Sequence, residues 1–118
     1  NDHVLNNYSY FLSLRKQNLD KAMIMSQQLV RMHPNNPTYL DTYGWVLYVS
    51  GEYKDAKKYL KKAVDLKTDD GTVLEHYGDV LFRLGEVEEA VKYWEMASRT
   101  DEASDDIKKK IHEKKIYE

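Results

Sequence analysis

The chain has 118 residues, enough for one domain with a buried core and too few for two ordinary ones. With 42% hydrophobic and 32% charged residues but only two prolines and five glycines, it favours helices joined by short turns over a strand-rich fold. A net charge of -2 argues against nucleic acid as the main partner, the lack of cysteine excludes disulfides and thiolate metal sites, and no apolar run reaches the roughly 20 residues of a membrane span. No signal peptide is visible, and the absence of cysteine leaves the compartment open. The chain opens on Asn1 and reads as helix from Val4-Leu5, so we expect a fragment or processed product whose missing N-terminal segment could have carried a targeting signal.

The first predicted unit, residues 2–36, carries Leu5, Tyr8, Ser9 and Leu12 at helical spacing, then a turn between Arg15 and Leu19, then Ala22 on a second helix. Met23, Met25 and Met32 are expected to fill core space. Asn7-Tyr8-Ser9 matches a glycosylation acceptor pattern, but the placing of Tyr8 in the core stripe argues against its use. The second unit, residues 37–70, opens with Asn36-Pro37 as N-cap and first helical residue. Leu40, Tyr43, Gly44 and Leu47 follow on one face, and Gly51 ends the helix. The next stripe is Ala56, Tyr59, Leu60 and Ala63, with Lys57, Lys58, Lys61 and Lys62 facing solvent. The third unit, residues 71–104, repeats the second without a gap at a spacing of 34: Tyr77-Gly78 falls on Tyr43-Gly44, Gly85 on Gly51, Ala90 on Ala56, and Tyr93 on Tyr59. The first unit aligns more loosely and needs one extra residue in its turn. Mid-helix glycines at 44 and 78 predict a close helix crossing, opposite the small Ala56 and Ala90. From residue 105 to 118 the period stops, and Ser104-Asp105-Asp106 reads as an N-cap with an acidic first turn. In the helix that follows, Ile107 and Ile111 should cover the last unit while the lysines stay in water.

The series Leu40-x2-Tyr43-Gly44-x2-Leu47…Ala56-x3-Leu60 and Leu74-x2-Tyr77-Gly78-x2-Leu81…Ala90-x3-Trp94 resembles the tetratricopeptide repeat, a 34-residue helix–turn–helix. The first unit keeps Leu5, Tyr8, Leu12, Ala22 and Pro34 but has Ser9 and Ser26 at the glycine and aromatic positions. Thr68 and Glu102 replace the closing proline in the other two. The wording around Tyr39–Trp45 is most similar to the C-terminal repeats of bacterial members. The resemblance implies an all-α fold, a right-handed α-solenoid of three repeats plus a C-terminal capping helix, with seven helices in antiparallel pairs. It also implies a peptide-binding concave groove lined by the first helix of each pair. Carried over by position, the groove residues are Asn6 and Tyr10, then Asp41, Trp45 and Tyr48, then Glu75, Asp79, Phe82 and Arg83, with Thr38, Val49, Thr72, Ser13 and Leu14 beside them.

Trp45, Tyr48, Phe82 and Tyr10 would then supply aromatic anchors, and Asp41, Glu75 and Asp79 an acidic rim. This points to a protein or peptide partner with apolar and basic residues. Family members that grip a chaperone's C-terminal carboxylate do so with lysine, asparagine and arginine, and an acidic groove does not suit that task. The alternative is a structural fragment that self-associates or packs on a missing part of its own chain, with a monomer or weak homodimer in solution. Catalysis has little support. His112-Glu113-Lys114-Lys115-Ile116 begins like a zinc-protease motif but lacks its second histidine, the i, i+4 pair Glu75 and Asp79 has no nucleophile beside it, and no cofactor or metal is implied.

Overall fold

Three helices of the chain begin at a side chain that folds back on the backbone. Asn1 Oδ1 accepts from the amides of His3 and Val4, Asn36 from Thr38 and Tyr39, and Asp70 from Thr72 and Val73, at 2.8–3.3 Å. In this computed structural model, which describes residues 1–116, these caps open α1 (Asp2–Arg15), α3 (Pro37–Val49) and α5 (Gly71–Arg83). Each is joined by a three-residue turn to a partner that packs along it: α2 (Leu19–Met32), α4 (Tyr53–Leu66) and α6 (Val87–Ser98). A seventh, α7 (Ile107–Glu113), packs on α6. Among the described residues there is no strand, and α2 packs on α3 as α4 packs on α5, so the pairs stack into a body of 39 × 26 × 24 Å.

The turns show how sequence sets the pairing. Gly51 and Gly85 take φ values of 86° and 85°, the left-handed region open to glycine at no steric cost. The corresponding residue of the first turn is Lys16 at φ 53°, followed two residues later by Asn18, also left-handed. The extra residue expected in that turn instead lengthens α1 to 14 residues, against 13 in α3 and α5, and Asn18 enters α2 without a side-chain cap.

The main core runs from α2 to α7, with Leu40, Leu60, Leu74, Val80 and Trp94 fully buried, and a smaller cluster of Leu12, Ala22 and Val46 ties α1 to α2 and α3. Tyr43 meets Tyr59 edge-on at 4.8 Å, and Tyr77 meets Tyr93 at 4.7 Å, one motif used twice. The glycine crossings are tighter than small-residue packing alone. A Cβ on Gly44 would lie 2.6 Å from Leu60 Cγ, and one on Gly78 would lie 2.5 Å from Trp94 Cδ1 and 3.1 Å from the Ala90 carbonyl. The side chain opposite each glycine is thus large, not the expected Ala56 or Ala90; both alanines are buried, and Ala90 approaches Gly78 through its carbonyl.

Several sequence expectations are corrected here. Leu5 and Tyr8 are exposed, not core, because no helix lies on the outer side of α1 in the way that α2 lies on α3. The acceptor pattern at Asn7 is better discounted because the Ser9 hydroxyl is buried and donates to the Leu5 carbonyl. Met23 and Met25 pack on the core, but Met32 is exposed in the last turn of α2. The final helix starts at Ile107 after Asp106, whose carboxylate caps none of the helix amides and instead accepts from the Ser104 hydroxyl, while the expected cap Ser104 turns its amide to Glu75. Residues 117 and 118 of the expected capping segment lie outside the described residues.

Candidate partner-binding groove

The first helices α1, α3 and α5 place the expected groove residues along one face at a 34- to 35-residue interval. At its centre stands a three-ring stack. The Trp45 indole lies flat on Tyr48, with centroids 4.5 Å apart, and on His76 at 3.9 Å. Tyr10 leans toward His76 at 6.2 Å. Tyr48 is a buried member of the stack, and its hydroxyl accepts a hydrogen bond from Arg83 Nε at 3.1 Å. Trp45 is half-buried, and its indole N–H, shielded from solvent, has no hydrogen-bond partner. Phe82, also half-buried, is turned toward Trp94 at 5.8 Å. Of the four expected aromatic anchors, Tyr10 and Trp45 are presented to the groove, whereas Tyr48 is their support.

The acidic residues form an internal network. Asp41 accepts from His76 Nδ1 at 2.8 Å. Lys110 of α7 reaches Glu75 at 2.6 Å and Asp79 at 3.1 Å, with all three side chains buried. Asp79 also accepts the Trp94 indole N–H at 2.9 Å, and Glu75 accepts the backbone amide of Ser104 at 2.7 Å together with its hydroxyl. The lysines of the last helix were expected to stay in water; Lys110 is instead 5% exposed, drawn in by two carboxylates that would otherwise lie buried without a cation. Sequence reasoning missed this residue, and a signal was present: Asp41–His76 and Glu75–Lys110 are both separated by 35 residues. α7 therefore stands where the first helix of a further repeat would stand.

These neighbours set the charge states. Burial opposes charge on His76, but Asp41 and, behind it, Asp79 and Glu75 raise its pKa. Burial likewise opposes charge on Lys110, and the same two carboxylates outweigh it and hold the ammonium charged to higher pH. Burial raises Asp79 despite Lys110 and His76, whereas in Glu75 the bonds from Lys110 and Ser104 overcome burial and lower the pKa. Tyr10 is pushed up to about 12 by burial and by Asp41 and Glu75, so its phenol is neutral at physiological pH.

Three cavities line this face. One of about 380 Å³ lies among Tyr10, Trp45, His76, Glu102, Asp106 and Ile116. A second of about 470 Å³ is formed by Leu14, Trp45, Tyr48, Val49, Tyr53 and Arg83. The third, about 350 Å³, includes Asn6, Tyr10, Asp41, Asp70 and Glu102. The expected site residues other than Phe82 are distributed over these three, and Trp45 is the wall between the first two. Asn6 is buried, and its Oδ1 has no partner.

The fold is shared with known proteins. The Sgt2 TPR domain from Aspergillus fumigatus superposes with a TM-score of 0.83 at 19% identity, over 96% of this chain and 76% of that one. The first TPR of Spaghetti (RPAP3), in its structure with the HSP90 peptide SRMEEVD, gives 0.84 at 17% identity, over 96% and 89%. In sequence, the chain is 31% identical over 64 residues to the TPR repeat-containing protein PA4667 of Pseudomonas aeruginosa, a match that covers 54% of this chain and 11% of that relative. The family model described as anaphase-promoting complex, cyclosome, subunit 3 matches residues 15–97. The stacked helix pairs are thus shared with solved tetratricopeptide-repeat domains, and the chain belongs to the family of tetratricopeptide-repeat proteins that this model describes.

Proposed function

We propose that the chain is a protein-interaction module that holds a segment of a partner polypeptide along the face of α1, α3 and α5. The observation that carries this reading is Trp45, an aromatic platform shared by two adjacent cavities. An apolar partner residue enters the cavity beside Leu14, Val49 and Tyr53, and is buried against the indole. Asp41, Glu75 and Asp79 already hold His76 and Lys110, whereas Asp70, Glu102 and Asp106 on the rims bond backbone amides and the Ser104 hydroxyl, so a basic partner residue meets these three instead. The RPAP3 domain holds SRMEEVD, a peptide with three acidic side chains. A peptide of that charge does not suit a face whose rims are acidic.

Peptides selected by display against the full chain provide the test. Trp45→Ala should weaken the affinity of a selected peptide about 30-fold, the effect of a hot spot of about 2 kcal/mol. Circular dichroism of the variant checks that the fold is kept. Added salt should weaken binding further if rim acids orient a basic residue. Lys58→Glu, on the exposed side of α4, is the control. Loss of binding by Lys58→Glu with none by Trp45→Ala would place the partner on the outer surface and overturn the reading.

A further inference from the structure

The cavity of about 350 Å³ differs from the other two on this face, because no lysine, arginine or histidine lines it. Asn6 stands on α1, Asp41 on α3 and Asp70 at the cap of α5, and Glu102, from the segment between α6 and α7, completes the wall. Asn6 is 5% exposed and its Oδ1 accepts from nothing, so an acidic cavity has a buried acceptor without a donor. Such a group opposes folding unless a donor from outside the chain reaches it. The start of α5 does not make this an anion site. Asp70 Oδ1 takes the amides of Thr72 and Val73 at 3.0 and 3.2 Å, and Glu102 Oε1 takes that of Gly71 at 2.9 Å. The amides that hold anions at a helix start are therefore already bonded, and the cavity is left with a surplus of negative acceptors. A metal ion does not suit it either: among the described residues, no three Asp, Glu or His side chains stand close enough to share one.

We propose that this cavity is the site of an arginine side chain of the partner, whose guanidinium is received by Asn6 Oδ1 and the carboxylates of Asp70 and Glu102. A guanidinium carries five N–H donors in a flat fork, so it serves acceptors spread over several walls. An ammonium presents three donors from a single point. The half-buried Tyr10 also lines the cavity, and aromatic rings attract guanidinium planes. The proposal rests on the groove reading and narrows its basic residue to an arginine at one place.

The test is a nitrogen–proton correlation NMR titration of the full chain with N-acetyl-arginine-N-methylamide. The amides of Asn6, Thr42 and Thr72 should shift and saturate. The lysine counterpart should bind at least about 5-fold more weakly. The citrulline counterpart, similar in shape but uncharged, should not saturate. Asp70→Asn should weaken the arginine probe about 5-fold with Tm kept, because asparagine caps α5 as Asn36 caps α3. Asn6→Leu should abolish saturation without lowering Tm, since its Oδ1 holds no bond to lose. If Asn6→Leu does lower Tm, the Asp70→Asn titration decides alone. Equal binding by the citrulline probe, or an affinity indifferent to Asp70→Asn, would overturn the proposal. Trp45 does not line this cavity, so Trp45→Ala should leave the probe's affinity unchanged, and the groove reading can fail in the display experiment while this site stands. Arginine should recur among the displayed peptides. Its absence there, with the probe bound, would refute the partner as its source and leave a site for a free guanidinium compound.

Discussion

At the residue scale, space is conserved across the repeats even where residue types are not. Gly44 lies under Leu60 and Gly78 under Trp94, whereas the first pair sets Ser9 and Ser26 at the same places, both buried and each bonded to a carbonyl of its own helix. A large residue opposite none, or two small ones, fills the same gap. Gly78→Ala should therefore cost about 1–3 kcal/mol, measured by urea unfolding. Gly44→Ala should cost less, because Leu60 can change rotamer, while the Trp94 ring is tied by its N–H to Asp79 and the Ala90 carbonyl stands close. Ser26→Leu alone should overpack the first crossing, and Ser9→Gly in the same chain should recover much of the loss, a coupling visible in a double-mutant cycle. The glycines were legible in the sequence because they recur at one interval. The bond from Trp94 to Asp79 was not, since it crosses between paired helices over 15 residues and follows no period.

The elements differ in what holds them. α7 has only seven residues, too short to persist by helix propensity, and depends on Ile107 and on the bonds of Lys110 and Ser104. Its apolar contacts were readable in advance, and its buried lysine was not, because periodicity marks which residues lack charge rather than which charges find partners. Lys110→Met leaves Glu75 and Asp79 buried without their cation, and should cost about 3–5 kcal/mol. Adding Glu75→Gln and Asp79→Asn to Lys110→Met should restore part of that loss, and failure to do so would mean that Lys110 acts through packing alone. His76 links α5 to α3 by a different route, its ring held between Asp41 and the Trp45 indole. Its pKa is raised on folding, so its contribution is complete below the free imidazole value of about 6.5 and fades as pH rises through the raised one. Tm should thus decline as pH rises above about 6.5, and His76→Gln should flatten that decline.

Across the whole molecule, the stack has a direction: one end is polar and closed, the other apolar and open. The architecture was legible because each repeat restates it, and the expected groove residues share one face because the first helices keep their register. Which groove residues are available to a partner was not legible. That depends on α7, which lies outside the period and whose lysine occupies acids that position alone would have left to the partner.

The 35-residue rung also gives the array a syntax. α7 closes on a repeat that offers Glu75 and Asp79 at the two groove positions; the preceding repeat offers Asp41 and Trp45 there. A gene duplication of residues 71–104 would hand the final helix the same pair of acids and lengthen the chain without penalty. A deletion of those residues would set the ammonium of Lys110 against a single carboxylate and an indole, and the shortened protein would have lost its full stop.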